Sequence, residues 1–353
     1  MKTVWSLAAI VCLAGSAWAQ SESRDTAIER IAFGSCLHQD KPQPIWDAVA
    51  AVDPQVFLMI GDAVYADTTD PEELRRFYSQ VDQNPAWKKL REDCRVLMTW
   101  DDHDYGLNDG GAEHPNREGA QAAFLDFAGE PADSPRRARA GVYASAVLGP
   151  PGKRVQIIML DTRYHRSPLQ RVTVGSNTTV LPTVDPQATM LGEAQWSWLE
   201  KQLRVEAELR LVVSSIQVLN DAHPFEKWAN IEHERRRLYR LLRDAKTSHV
   251  LILSGDQHLS EISRVDGVLD YPLYDFTSSG LNNAREWELF PNPHAAGNRY
   301  FENHFGLIEI DWEDGGPRLR LSAINETGER VIDHSIAGNE LEINNDSPTE
   351  LHP

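Results

Sequence analysis

The stretch Arg95-Val-Leu-Met-Thr-Trp100 is followed directly by Asp101-Asp102-His103-Asp104. An apolar run of this length is typical of a buried strand, and four ionisable side chains at its end cannot share a pocket unless cations neutralise them. The same arrangement occurs twice more, at Val56–Ile60 with Gly61-Asp62 and at Val250–Ser254 with Gly255-Asp256-Gln257-His258. Three such strand ends predict side chains that converge on metal ions.

Each of these side chains has a chemical role that its position suggests. Asp62 follows a glycine that permits close approach, so it is the candidate bridge between two metals, which lie about 3.5–4 Å apart in such sites. Tyr65 returns to the same side three residues later, and a phenolate ligand favours a hard trivalent cation. If the strand that begins at Arg95 continued past Trp100, Asp102 would point away from His103. Asp102 would then be a metal ligand, and His103 would support a ligand or assist the leaving group.

Each motif taken alone also has a purely structural interpretation. The Gly-Asp pairs are also common turns, and Asp256 with His258 is also compatible with a solvated turn. A lone tyrosine such as Tyr65 is more often a packing residue than a ligand. Further along the chain, Arg163 and Arg166 follow another strand end, and guanidinium groups suit phosphate, although both are also compatible with surface loops. His223 is a candidate for the lining of the substrate cleft.

Strand-like and helical segments alternate over most of the chain, which predicts an α/β fold of packed mixed sheets flanked by helices in one domain. From Tyr274 onwards the pattern changes to antiparallel strands, with a hairpin near residues 313–316. Residues 166–190 are predicted to form a surface excursion. The acidic tail from Gly338 is expected to fray.

Composition bounds the class of protein. The chain has 353 residues, 41% hydrophobic and 25% charged, with a net charge of −18. This is the composition of a soluble globular protein, and its charge opposes binding of nucleic acid or anionic membranes. Residues 1–19 have the pattern of a cleaved signal peptide, with Lys2, an apolar run and Ala17-Trp18-Ala19. We therefore expect a periplasmic or secreted protein without stable membrane insertion, most simply a monomer.

Two cysteines remain after cleavage, which in an oxidising compartment suggests one disulfide. Cys36 follows a strand, whereas Cys94 precedes the strand that begins at Arg95. If the two strands are parallel, the thiols lie at opposite ends of the sheet, which disfavours a bridge.

The ordered set of motifs resembles the PhoD-like alkaline phosphatases, a branch of the calcineurin-like metallophosphatase superfamily. The resemblance spans roughly residues 30–280 and rests on these segments: Phe33-Gly-Ser-Cys36, Gly61-Asp62-x-x-Tyr65, Trp100-Asp-Asp-His-Asp104, Leu160-Asp-Thr-Arg-Tyr164, Gly255-Asp-Gln-His258 and Asp275-Phe-Thr-Ser-Ser279. It implies a four-layer α/β/β/α sandwich over residues 20–337, followed by the acidic tail 338–353. From the length of the chain we expect no counterpart of the extra N-terminal β domain of longer relatives, which leaves substrate range open.

The resemblance also implies a ligand set. Ferric iron would be held by Cys36, Asp62, Tyr65 and Asp256, which makes Cys36 a thiolate ligand. Calcium would be served by Asp62, Asp102 and His258, with Asn108 as a looser match for an amide oxygen ligand.

These observations predict a phosphatase or phosphodiesterase that uses metal-activated water, with His103 or His258 assisting the leaving oxygen. Arg163, Arg166 and His223 would contact substrate, and Arg163 is also a candidate catalytic residue. Two alternatives stay open: a phospholipase-D-like phosphodiesterase, and a secreted metal-binding protein without catalysis.

Overall fold

The computed structural model describes residues 26–175, 177–285, 290–313 and 316–343. The predicted signal peptide lies outside the described residues. The strands, in chain order, are β1 (Arg30–Gly34), β2 (Val56–Ile60), β3 (Arg95–Thr99), β4 (Ala144–Leu148), β5 (Val155–Met159), β6 (Gln170–Val174), β7 (Asn177–Leu181), β8 (Leu209–Val213), β9 (Val250–Ser254), β10 (Ser260–Val265), β11 (Leu273–Ser278), β12 (His304–Glu313), β13 (Gly316–Asn325) and β14 (Arg330–Ile336). The helices are α1 (Ile45–Ala51), α2 (Pro71–Gln83), α3 (Pro85–Asp93), α4 (Asp102–Tyr105), α5 (Arg117–Phe127), α6 (Gly192–Gln202) and α7 (Glu232–Asp244).

Two six-stranded mixed sheets form the centre of the fold. The first has the order β14-β13-β12-β1-β2-β3, and the second has the order β10-β11-β9-β8-β5-β4. In the first sheet β1, β2 and β3 are parallel, while β12, β13 and β14 are antiparallel. In the second sheet β5, β8, β9 and β11 are parallel. The expectation that strands after Tyr274 are antiparallel is therefore wrong for β11 with respect to β9 and correct from β12 onwards.

The hydrophobic residues of the strands alternate between two cores. Ile31 and Phe33 belong to the core shared with the second sheet, whereas Ala32 and Phe57 belong to the core that includes α1, α2, α3 and α5. Helices α6 and α7 contribute Leu199 and Leu238 to the core of the second sheet. Because both faces of the parallel strands are buried, their sequences are continuously apolar. The arrangement confirms the predicted α/β/β/α sandwich.

The parallel strands bring their carboxyl ends to the same edge of each sheet. Cys36, Asp62 and Asp102 follow β1, β2 and β3, and Asp256 follows β9 of the second sheet. Residues that are 220 positions apart in sequence therefore meet at one place, where the Cys36 thiol lies 3.9 Å from the backbone carbonyl of Asp256.

Cys36 and Cys94 are both free thiols. Cys36 lies just beyond the carboxyl end of β1, and Cys94 immediately precedes the amino end of β3, which is parallel to β1 through β2. The strand direction therefore explains why no bridge forms between them.

Two peripheral segments differ in how they match expectation. Residues 166–190 do form a surface excursion, with the exposed hairpin β6–β7 at its tip. The start of the acidic tail, by contrast, is packed and not frayed. Leu341 is fully buried, its carbonyl accepts from His249 N at 2.8 Å, and Tyr274 Oη donates to Glu340 Oε1 at 2.6 Å. A buried anchor at Leu341 thus fixes residues 338–343.

Among the described residues, no helix combines the length and apolar character needed to cross a bilayer.

His304, at the start of β12, is expected to make stability depend on pH. Its ring is fully buried, which lowers its pKa to about 4. The unfolded chain binds a proton near the ordinary pKa of 6.5, so the folded state loses up to about 3 kcal/mol of stability as pH falls from 6.5 to 4. We expect His304→Gln to flatten this acid limb, as checked by urea unfolding at pH 7 and pH 4.5. Equal pH slopes for the two proteins would contradict this.

Candidate active site

The turn after β2 places Asp62 against the end of β3. Gly61 has a φ of +120°, and a Cβ at this position would lie 2.5 Å from Cβ of Asp101. Only glycine permits this approach. The two carboxylate oxygens of Asp62 face different groups, since Oδ2 lies 3.3 Å from Cys36 Sγ and Oδ1 accepts from His103 N at 3.3 Å.

Left-handed backbone conformations gather at the same edge. Cys36, Asp62, Asp256 and His258 have φ values of +59°, +49°, +68° and +55°. A non-glycine residue in this region costs roughly 1–3 kcal/mol and persists only where surrounding structure enforces it. Four such residues at converging strand ends indicate that the fold holds their side chains in a functional geometry.

The strand β3 ends at Thr99, and residues 102–105 form the helical turn α4. The strand therefore does not continue through residues 101–104, and the side chains of this cluster do not alternate between two faces. Asp104 points back and stabilises the turn, because its Oδ1 accepts from Asp101 N at 2.6 Å and its Oδ2 accepts from Ala63 N at 3.1 Å. Asp104 thus links the β2 and β3 ends structurally and leaves Asp102 and His103 at the cleft.

Cys36 and Tyr65 form one corner of the site. Cys36 Sγ lies 3.0 Å from Ser279 Oγ, and the Tyr65 side chain interacts with the same thiol. Burial, reinforced by Asp62, raises the pKa of the Cys36 thiol well above its usual value. Burial and Cys36 raise the pKa of Tyr65 in the same way. Thiolate and phenolate forms therefore need a neighbouring cation.

Two histidines flank this corner. His258 Nδ1 contacts the Asn283 carbonyl, which fixes the tautomer with the proton on Nδ1, and Nε2 lies 3.5 Å from Tyr65 Oη. Burial lowers the pKa of His258 to about 4. His103 Nδ1 lies 2.8 Å from Asp67 Oδ1. Burial alone would lower its pKa, but Asp102, Asp62 and Asp67 raise the pKa of His103 to about 11.

The acidic side chains of the site fit divalent or trivalent cations. Three groups of side chains could each hold a metal ion, because the ligand atoms within each group lie within 4.8 Å of one another. Asp102 belongs to all three groups, which are Asp62 with Asp102 and His103, Asp101 with Asp102 and Asp256, and Asp102 with Asp109 and Glu226. Burial raises the pKa of Asp62 and of Asp256, and buried Asp101 Oδ2 has no hydrogen-bond partner. Buried carboxylates at this density are stable as anions only beside cations.

Asn108 lines the cleft together with Asp102. The neighbouring Asp109 donates its N–H to Asp102 Oδ2 at 2.7 Å and shares the third acidic group. Asp109 was missed from the sequence because its left-handed backbone, with φ +46°, turns the carboxylate inward.

The side chains of Arg163 and Arg166 are buried and do not line the cleft. Both side chains are 0% exposed, so the expectation that they bind substrate phosphate needs correction. Arg163 donates from Nε to Asp101 Oδ1 at 2.7 Å and from Nη1 to Glu226 Oε2 at 2.5 Å. Arg166 Nε lies 2.9 Å from Glu226 Oε1. The two arginines thus form buried ion pairs with Asp101 and Glu226 of the acidic cluster, on the side away from the cleft.

His223 is buried beside the cleft, not on its open wall. It borders a small separate cavity, and burial together with Lys227 lowers its pKa to about 3. The exposed basic side chain that does line the cleft is Arg285, which the sequence motifs did not indicate. It lies after the Asp275–Ser279 motif and has no neighbouring signature residue.

An open cleft of about 520 Å³ is lined by Tyr65, Asp102, His103, Asp256 and His258 among others. Of the other predicted ligands, Asn108 also lines the cleft, and buried Cys36 and Asp62 contact each other next to it. Two mixed sheets with acidic strand ends at such a cleft define a metallophosphoesterase fold and site. The chain belongs to the PhoD-like phosphatase family, whose model matches residues 31–302. It is accordingly a metal-dependent phosphoesterase, a hydrolase of phosphate ester bonds.

Solved structures support the same fold. The structure of PhoD aligns with a TM-score of 0.66 at 17% identity and covers 91% of this chain and 74% of that one. A purple acid phosphatase from yellow lupin seeds aligns with a TM-score of 0.59 at 11% identity, covering 89% of this chain and 54% of that one. No curated protein sequence matched this chain.

Proposed function

We propose that this chain is an exported phosphatase or phosphodiesterase that hydrolyses small phosphate esters at an iron–calcium site. The observation that carries the proposal is the position of Asp62, whose two oxygens face Cys36 on one side and the Asp102–His103 turn on the other. A carboxylate in this position is suited to bridge two cations.

The donor types on the two sides of Asp62 differ. Cys36, Tyr65 and Asp256 offer a thiolate, a phenolate and a carboxylate, a set that suits ferric iron. Asp102, His258 and the Asn108–Asp109 loop offer mainly oxygen donors, which suit calcium. Bound cations would neutralise the phosphate and activate water for attack on phosphorus.

The protein's own groups would orient the substrate and move the proton. His103 is held by Asp67 at 2.8 Å through Nδ1 and is suited to donate a proton to the leaving oxygen. Arg285 lines the cleft and would bind phosphate oxygens in place of the buried Arg163 and Arg166.

Substrate and metal assays test the proposal together. Purified protein would be analysed for iron and calcium and assayed on a panel of phosphate monoesters, diesters and phosphatidylcholine. We expect bound iron and release of phosphate or of the ester alcohol, abolished by chelation and restored by the metals. Choline release from the lipid alone would favour the phospholipase-D-like alternative. Bound metal without turnover of any ester would favour the non-catalytic one.

Arg285→Gln is expected to raise KM for a phosphate monoester about tenfold with little change in kcat, because a hydrogen bond to a charged group contributes about 1.5–3 kcal/mol. Arg240→Gln, at an exposed position on α7, is the matched control. Steady-state kinetics measure both. An unchanged KM in Arg285→Gln would remove Arg285 from the substrate site.

Export and domain limits belong to the same proposal. Residues 1–19 would be the cleaved signal peptide and residues 20–337 the catalytic domain. N-terminal sequencing of the protein recovered from periplasm or medium tests the cleavage site.

A further inference from the structure

A small cavity adjoins the active-site cleft and shares Phe225 and Gln257 with it. Its volume is about 20 Å³, enough for one small polar group or one water molecule. Phe290 and Phe301 contribute aromatic walls, and Gln217, His223 and Glu261 contribute buried polar side chains. None of these three residues belongs to the predicted metal ligands.

Four buried polar atoms of the residues that line this cavity have no hydrogen-bond partner. Gln217 Oε1, Glu261 Oε2 and both ring nitrogens of His223 are buried without a hydrogen bond. A buried polar atom without a partner costs about 1–3 kcal/mol, so several around one cavity indicate a polar occupant. Arg299 Nε lies 4.0 Å from Glu261 Oε2, which is too far for a hydrogen bond.

The surrounding network fixes which atoms face the cavity. Gln217 Nε2 donates to Glu261 Oε1 at 2.7 Å and to Thr277 Oγ1 at 2.9 Å. Asn220 Nδ2 donates to the same Glu261 oxygen at 2.9 Å. A flipped Gln217 amide would set its oxygen against the carboxylate, so Oε1 must face the cavity. The lining of the cavity therefore includes two oxygen acceptors without a hydrogen bond, the imidazole of His223 and the guanidinium of Arg299, which forms a loose ion pair with Glu261.

We propose that this cavity is a leaving-group subsite that receives the primary ammonium of an amino-alcohol phosphate ester bound in the cleft. An ammonium has three N–H donors, which match Gln217 Oε1, Glu261 Oε2 and one nitrogen of His223. In hydrolysis the ester P–O bond breaks, water forms the new P–O bond, and the amino alcohol leaves with a proton. The inference rests on the proposed phosphoesterase function and names the substrate class.

Three esters with the same two-carbon chain test the subsite: 2-aminoethyl phosphate, 2-hydroxyethyl phosphate and ethyl phosphate. With the metal-loaded wild type we expect kcat/KM for the aminoethyl ester to exceed that for the ethyl ester about tenfold, the hydroxyethyl ester lying between. In Glu261→Gln, which replaces the free acceptor by a donor and keeps the Oε1 contacts, the ratio of kcat/KM for the aminoethyl ester to kcat/KM for the ethyl ester should fall to about 1. His223→Phe should reduce the preference in the same direction.

Glu200→Gln, at an exposed ion pair with Arg204, is the control and should keep the preference. Thermal unfolding of each variant shows whether it folds. Equal turnover of the three esters by the wild type, or an equal loss on all three in Glu261→Gln, would overturn the subsite and indicate a water-filled structural cavity. Absence of turnover on every phosphate ester would instead overturn the proposed function.

Discussion

Asp62→Asn is expected to lower kcat/KM for phosphate ester hydrolysis by about 10³-fold or more, because one substitution weakens both sides of the site. The Asp62 oxygens face the Cys36 corner and the His103 backbone, each at 3.3 Å. An amide supplies one oxygen and no negative charge, so it cannot serve two cations. Loss of one preorganised charge-stabilising group commonly costs 10²–10³ in kcat, and loss of a shared ligand should reach or exceed that range.

The measurement pairs kinetics with elemental analysis of the purified variant. Asp93→Asn is the matched control, since Asp93 is half exposed and pairs with Lys89 on α3. Burial raises the pKa of Asp62, so in the metal-free protein its removal should not reduce stability, which circular dichroism can check. Retention of full metal content and full activity in Asp62→Asn would refute the proposed bridging position.

The core strands were predictable because burial imposes a strong local pattern. Strands β2 and β9 have the bounds that their apolar runs predict, Val56–Ile60 and Val250–Ser254. Asp70 caps α2, accepting from Glu72 N at 2.9 Å, and Pro71 follows it at the first helical position. Residues that follow a strand end inherit its position, which is why Asp62, Asp102 and Asp256 could be selected from the sequence. The ligand role of Cys36 is implied only by the family resemblance.

Side-chain direction was less predictable, because it depends on backbone conformations that the sequence does not mark. Asp109 turns inward through a left-handed φ, whereas the preceding Asn108 is exposed. The guanidinium of Arg163 is chemically suited to bind phosphate, yet ion pairs with Asp101 and Glu226 hold it in the interior. Glu226 is 125 residues from Asp101 in sequence by their numbering, and no local pattern links the two.

The buried side chain of Arg163 also predicts a large effect on stability. Arg163 is 0% exposed and pairs with Asp101 and Glu226, each 1% exposed. Burial would lower its pKa, but the two carboxylates raise the pKa of Arg163 above its usual value. Removing one partner of a buried ion pair leaves an uncompensated charge and typically costs about 3–5 kcal/mol. We therefore expect Arg163→Met to destabilise the fold by about this amount.

Urea unfolding of the metal-free protein at pH 8 measures this effect, with Arg204→Met at an exposed ion pair as the control. The double variant Arg163→Met/Glu226→Gln separates charge from packing. Removing the second charge relieves the unpaired carboxylate, so the double variant should be less destabilised than the sum of the single variants. Additive losses would instead mean that Arg163 acts through the packing of its side chain. In that case the charge network behind Asp102 would not be what holds the metal-binding turn in place.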